Sequence, residues 1–324
     1  MSARVLSVQL RKPLERAVRS GHPWLYREAL APFDAPLAAR VRVVDRAGKF
    51  LATGLVEGGP IALRVFSLRD EAIDGALFRE RIARALALRA RAAPEATDSY
   101  RLLHGEGDAL PGFVCDRYGA SAVLKLDGEA AHVIAPQVIA ELTPQLAALG
   151  ITSLVLRSSR KQADACEVVW GQAPAQELLV REHGMALWTN LYEGQKTGLF
   201  LDHRETRRRV RQLASGLSVL NLYGYTGGFS VAAGLGGASS VTTVDLAKPA
   251  LVLAERSYRD NPGATAEHAV HAADALVFLE AAAKSGNQYE LIIADPPNFA
   301  PRKTALEPAL KAYEALHAAA MRVL

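Results

Sequence analysis

The stretch Asn221-Leu-Tyr-Gly-Tyr-Thr-Gly-Gly-Phe229 decides the fold of this chain. It follows the largely apolar run Leu217 to Leu222. Two further runs of the same kind come later: Val241 to Val244, ending at Asp245, and Leu291 to Ala294, ending at Asp295-Pro-Pro-Asn-Phe299. Short continuous apolar runs of this length read as strands of a parallel sheet covered on both faces. Glycine and polar residues therefore fall at strand ends, where open α/β sheets bind ligands in the crevice beyond the carboxyl edge.

Each segment has a physical rationale. Gly224, Gly227 and Gly228 let a strand-to-helix turn adopt unusual dihedrals and let backbone amides approach a ligand closely. Tyr223, Tyr225 and Thr226 complete that loop. Asp245 stands about twenty residues further on, the usual separation for a carboxylate that bonds ribose hydroxyls. To this point a nicotinamide dinucleotide and S-adenosyl-L-methionine fit equally well. Asp295-Pro296-Pro297 separates them, because two prolines pin a donor-poor loop beside the first turn. That layout suits gripping a planar base at the reactive end of the cofactor, and a dehydrogenase has no evident use for it. Asp274, after a third strand at His268 to Ala272, opens a helix over Ala275 to Lys284. It is placed to bond adenine, to cap the helix, or both.

The 324 residues are 50% hydrophobic and 22% charged, which excludes a disordered chain and implies two or three compact units. No apolar run approaches the roughly 20 residues that span a bilayer, and Met1-Ser-Ala-Arg lacks a signal-peptide core, so a cytoplasmic protein with no membrane partner is expected. Two cysteines, Cys115 and Cys166, are too few for a disulfide scaffold or a metal cluster and read as buried free thiols.

The formal charge of +4 is modest, and its distribution carries more weight. Arg11, Lys12, Arg16 and Arg19 precede Gly21-His22-Pro23-Trp24, which sets a histidine and an aromatic beside positive charge, as RNA binding by stacking and phosphate contact requires. Arg157, Arg160 and Lys161 form a second cluster. Arg204, Arg207, Arg208, Arg209 and Arg211 crowd one helix. The three clusters read as a track for phosphates, with a solvated helix face as the alternative for the last.

Residues 1–70 read as a small barrel with strands near Val5 to Leu10, Val41 to Asp45, Phe50 to Val56 and Ile61 to Phe66, and a short helix at Leu14 to Ser20. Residues 71–98 hold a connector helix, and 99–180 form an α+β central domain that includes Gly105-Glu-Gly-Asp-Ala-Leu-Pro-Gly112. Residues 181–324 form a Rossmann-like α/β domain. A hairpin, 178–189, leads into Gly194-Gln-Lys-Thr-Gly198, whose Lys196 and Thr197, with Gln195 and Asp202, sit at a strand-to-helix junction well placed to line the cofactor site.

Together, Gly21 to Trp24, Gly105 to Gly112, Gly194 to Gly198 with Leu201-Asp202, Asn221 to Phe229 and Asp295 to Phe299 resemble the PUA-domain-containing class I methyltransferases that act on cytosine C5 of 23S, large-subunit, ribosomal RNA. The resemblance covers the whole chain. It implies a PUA-like RNA-binding barrel ahead of an α+β middle domain and a methyltransferase domain bound to S-adenosyl-L-methionine. It assigns Asp245 to the ribose, Asp274 to adenine, and Asp295, with Pro296 and Pro297, to the target base and catalysis. Lys196, Thr197 and the Tyr223 to Gly228 loop fall to the methionine end. Arg11, Lys12, Arg16, His22, Trp24, Arg160, Lys161 and Arg204 fall to RNA.

One departure stands out. Cytosine C5 becomes nucleophilic only after a thiolate adds to C6, and no cysteine follows Cys166. Family members of this kind carry that cysteine after the next strand, so the sequence is expected to be truncated before it. The rival readings are an RNA-binding ribosome-assembly factor on a methyltransferase-like fold and an RNA N-methyltransferase. A homodimer stays open.

Overall fold

The computed structural model describes residues 5–160, 163–300 and 305–324, with side chains omitted over 158–165. The chain divides into two compact units, Met1–Ala93 with Tyr100–Pro174, and Pro94–Ser99 with Ala175–Leu324.

The first unit opens with a five-stranded sheet built from β1 (Leu6–Gln9), the short helix α1 (Glu15–Arg19), β2 (Trp24–Tyr26), β3 (Arg40–Val44), β4 (Phe50–Val56) and β5 (Ile61–Ser67), in the order β1-β3-β4-β5-β2. Its two edges meet: Arg11 donates its backbone N–H to Ala29 and Ala31 donates to Gln9, and Leu10 bridges Leu30. Closure removes the unpaired edges that invite aggregation. Val8, Leu25, Val41, Val43 and Leu63 fill the interior. β2, a three-residue strand after Pro23, is the strand of this sheet that the sequence pattern does not predict.

Helix α2 (Gly75–Ala92) follows, capped by the Asp74 carboxylate, which accepts from the Leu77 N–H at 3.1 Å. The second sheet, of order β10-β9-β8-β7-β6, comprises β6 (Ser99–His104), β7 (Phe113–Tyr118), β8 (Ser121–Leu126), β9 (Ser153–Arg160) and β10 (Ala163–Gly171). Between β8 and β9 runs α3 (Glu129–Ala148), the crossover that a parallel β8–β9 pair needs. Phe78, Ile82, Phe113, Leu124, Leu142 and Leu154 form the shared core under both helices. The barrel and this sheet are joined by Arg64 of β5, only 3% exposed, which binds Glu57, Glu106 and Asp127 at 2.7, 2.8 and 2.9 Å.

The second unit begins with the hairpin β11 (Glu177–Glu182) and β12 (Met185–Asn190). After it come α4 (Arg204–Leu213), β13 (Ser218–Leu222), α5 (Gly228–Leu235), β14 (Ser240–Asp245), α6 (Lys248–Arg259), β15 (Glu267–Ala272), α7 (Ala275–Lys284), β16 (Leu291–Ala294) and α8 (Leu306–Met321). The sheet order is β15-β14-β13-β16, parallel throughout. That is the expected Rossmann-like arrangement. The hairpin docks on α6: the Asn261 side chain both accepts from the Ala186 N–H and donates to its carbonyl, and the Trp188 indole donates to Asp260 at 2.7 Å. Among the described residues no helix is long and apolar enough to cross a membrane.

Candidate active site

Register fixes the geometry of the site. Leu222 of β13 pairs with Val244 of β14 on one side and Ala294 of β16 on the other. The next residues, Tyr223, Asp245 and Asp295, therefore emerge side by side from three adjacent strand tips. A cavity of about 680 Å³ lies there, walled by Tyr223, Gly224, Tyr225, Thr226 and Gly228, by Asp245, and by Asp295, Pro296, Pro297 and Asn298. The glycine turn and the proline loop thus face one space, on one edge of the sheet.

The turn is strained and well braced. Tyr223 and Tyr225 have φ of 57° and 47°, in the left-handed region, which costs a non-glycine residue roughly 1 kcal/mol each. Asp245 offsets this, because its Oδ2 accepts from the Tyr225 N–H and its Oδ1 from the Ala247 N–H, both at 2.8 Å. The Tyr225 hydroxyl accepts from the Gln195 N–H at 2.7 Å and donates to the Gly198 carbonyl at 3.0 Å, while its ring meets Phe200 edge-on. The segment around Lys196 is thereby clamped across the turn. Lys196 lines the cavity, with its ammonium 5.9 Å from the Phe200 ring centroid. Gly224 sits where a Cβ would lie 2.5 Å from Thr243 Cγ2 and 3.0 Å from Asn221 Nδ2, so the strand-tip packing requires its lack of a side chain. Burial, with the nearby Asp274 charge, pushes the Tyr223 phenol up and keeps it neutral.

Three of the expected site residues stand just outside this wall. Thr197 is buried at 2% exposure, and Gly227 is the N-cap of α5 at φ 78°, with no room for a Cβ beside Ala254. Asp274 caps α7, its Oδ1 accepting from the Leu276 and Val277 N–H groups at 2.9 and 3.1 Å. Its neighbours Ala273 and Ala275 are the ones that line the cavity.

The cavity also contains residues that the motifs do not announce. His203 approaches Asp295 with Nε2 3.3 Å from Oδ2, and its ring rests against Phe229 at 5.7 Å. Nothing in the sequence around His203 signals this partnership, since the two residues lie 92 positions apart and meet only in the folded unit. Leu246, 69% exposed, and Asp202 complete the wall.

The basic clusters separate on inspection. Arg207 does not belong to an exposed track, because it is 5% exposed and bonds Glu182 through Nε and Nη2 at 2.7 and 2.6 Å. Arg157 is likewise buried, at 7%. Arg11, Lys12, Arg16 and His22 are exposed, although Lys12 pairs with Glu28 at 3.1 Å. Trp24 is half-buried, and its indole donates to Glu106 at 3.0 Å, which ties it to the central sheet. Arg204 pairs with Glu205 at 3.1 Å. Lys161 and the Arg160 side chain lie outside the described residues. Cys115 is buried as expected, whereas Cys166 is only partly so, because it lies on β10, at the edge of its sheet.

The donor set suits one kind of ligand. Carboxylates from Asp202, Asp245 and Asp295, with Lys196 and Arg207, share a space whose remaining wall is largely apolar or aromatic, which matches a ligand that carries both signs of charge on an adenosine, such as the sulfonium and carboxylate of S-adenosylmethionine. Residues 134–310, more than half of the chain, match the family described as S-adenosylmethionine-dependent methyltransferase. The chain belongs to that family. Residues 8–68 match a PUA-like domain, which accounts for the barrel.

The methyltransferase is similar to a ribosomal RNA large subunit methyltransferase of Deinococcus radiodurans, 37% identical over 329 residues covering 96% of this chain and 80% of that protein. It is also similar to ribosomal RNA large subunit methyltransferase I of Klebsiella pneumoniae, 33% identical over 97% of this chain and 81% of that protein. Among solved structures, a methyltransferase complexed with SAH matches at TM-score 0.85 and 26% identity, over 98% of this chain and 82% of that one. The protein is a methyltransferase whose cofactor is S-adenosylmethionine.

Proposed function

We propose that this methyltransferase modifies large-subunit ribosomal RNA, and that the acceptor atom is cytosine C5. The observation that carries the reading is the emergence of Asp245 and Asp295 from flanking strand tips into one cavity, so that the cofactor and a flipped base share it. The names of the curated relatives support the substrate class.

S-adenosylmethionine supplies the transferable methyl group from its sulfonium. Asp245, already braced by two backbone N–H groups, holds the ribose hydroxyls with its remaining lone pairs. Leu246 and Ala273 offer apolar surface to adenine, and Asp274 fixes the loop beside them. Lys196 and the Tyr223 to Gly228 loop enclose the methionine end, with Thr197 packed behind them. Asp295, steadied by His203, bonds the polar edge of the pyrimidine, while Pro296 and Pro297 keep its loop rigid. Arg11, Lys12, Arg16 and His22 on the barrel contact phosphates, and Trp24 of the same barrel adds aromatic surface, while Arg204 contacts phosphate from the cofactor-binding unit.

A C5 product also needs a thiolate. Neither Cys115 nor Cys166 lines the cavity, and burial, with the neighbouring Asp116, raises the Cys115 thiol far above physiological pH. The product is therefore the informative measurement. Incubation of the protein and large-subunit ribosomal RNA with methyl-labelled S-adenosylmethionine, followed by nucleoside mass spectrometry, identifies the acceptor: label in 5-methylcytidine would support the C5 reading and require a thiolate other than Cys115 and Cys166. Label in an N-methylated nucleoside would replace the C5 reading. Absence of label from a protein that binds both the cofactor and the RNA would overturn the reading that this chain's own residues suffice for the transfer.

A further inference from the structure

A second cavity, of about 440 Å³, opens on the cofactor-binding unit where the β11–β12 turn meets α4 and the end of α5. His183, Arg208, Arg211 and Gln212 form its rim, and Met185, 1% exposed, and Leu235 form its floor. An apolar floor under a cationic rim suits a sugar-phosphate better than a simple carboxylate.

The local charge is uncompensated. Helix α4 carries Arg204, Arg207, Arg208, Arg209 and Arg211 against one acidic residue, Glu205. Arg207 is neutralised internally by Glu182. Glu205 is divided among Arg204 at 3.1 Å, His183 at 3.4 Å and Arg208 at 3.6 Å. Arg211 has no carboxylate partner among the described residues; its Nη1 donates to the His183 carbonyl at 3.4 Å, which steers the guanidinium to the cavity. Guanidinium groups held at i and i+3 on one helix face present paired donors of the kind that phosphate oxygens accept.

The position matters as much as the charge. Arg207 lines the cofactor cavity, and Arg211, one helical turn on, lines the second. One turn is roughly 5.4 Å along the axis, so α4 links the two cavities, the first at the N-terminal end of α5 beside Gly228 and Phe229 and the second at its C-terminal end beside Leu235 and Gly236. We propose that the second cavity binds a phosphodiester of the RNA substrate, at a distance from the nucleotide whose base enters the first. This inference rests on the RNA reading given above.

The test is binding of a labelled large-subunit ribosomal RNA fragment, measured by fluorescence anisotropy from low to moderate salt. Replacement of both arginines, R208Q with R211Q, is expected to weaken binding about tenfold and to reduce the slope of log affinity against log salt by about two, while the affinity for S-adenosylhomocysteine stays the same. The pair R208K with R211K keeps the charge and is expected to keep the slope. Wild-type affinity and slope in the glutamine variant would overturn the assignment, with the RNA reading left standing if the parent protein binds and methylates. Failure of the parent protein to bind RNA at all would overturn both.

Discussion

Arg207 and Glu182 form a bidentate ion pair in the interior of the cofactor-binding unit, with the carboxylate fully buried and both N···O distances below 2.8 Å. The same guanidinium donates to the Phe200 carbonyl at 3.0 Å and lies over the Phe229 ring. A charge that is buried and paired becomes costly once its partner is removed. Replacement of Arg207 by Leu, or Glu182 by Leu, is therefore expected to destabilise the protein by roughly 3–5 kcal/mol in denaturant unfolding. Replacement of both by Leu should recover most of the loss. Independent, additive effects would show that the pair contributes nothing beyond its members.

Gly224 is expected to tolerate no side chain. Gly224→Ala puts a methyl group against Thr243 and Asn221, where overpacking typically costs about 1–3 kcal/mol. The distorted turn should also weaken S-adenosylhomocysteine binding in calorimetry. A variant of unchanged melting temperature and affinity would mean the turn relaxes freely.

His268 gives the protein an acid-sensitive point. It stacks on Tyr258 with centroids 4.1 Å apart and meets Thr243 Oγ1 at 2.7 Å, at the end of a buried chain from Asn221 through Ser230 to Thr243. Burial lowers its pKa to about 4, from 6.5 in an unfolded chain. Between those values the unfolded chain holds the extra proton, so stability is full above about pH 6.5 and falls as the pH drops towards 4. The loss is on the order of 2 kcal/mol after allowance for partial exposure. Unfolding measured at pH 7 and pH 5 should show a smaller acid loss in His268→Gln than in the parent protein. Equal losses would assign the sensitivity to other groups.

Asp295 and His203 should separate binding from catalysis. With Asp295 placed at the target base, Asp295→Asn is expected to lower kcat for methyl transfer about a hundredfold while affinity for S-adenosylhomocysteine changes little. His203→Ala removes a positioning contact, so a smaller fall is expected, with His203→Gln recovering part of it. Loss of cofactor affinity in Asp295→Asn would move that carboxylate to the cofactor instead.

The sheet was legible in the sequence because its strands are short apolar runs that end in residues with one structural use each. β16 and α7 have the expected limits, and β13, β14 and β15 differ by one residue at their starts or ends. Two strands of the first unit were hidden for different reasons. β2 is three residues long after a proline, and β6, Ser99–His104, mixes Tyr, Arg and His with leucine, so neither shows a clean period. At the site, Tyr223, Gly224, Asp245 and Asp295 could be named because each lies at a strand tip. His203 could not, since it meets Asp295 across 92 positions of sequence, from the turn that precedes α4. Composition also misjudged Arg207, because a run of arginines does not reveal which one turns inward to Glu182.

Asp245 is proposed as a principal anchor of the methyl donor in the cavity at the tips of β13, β14 and β16. Calorimetric titration of S-adenosylhomocysteine into the parent protein and into Asp245→Ala tests it most directly. One site per chain is expected in the parent protein, with an affinity lower by roughly thirtyfold in the variant, about 2 kcal/mol for a lost charge-assisted contact. Equal affinity in a folded Asp245→Ala protein would contradict it.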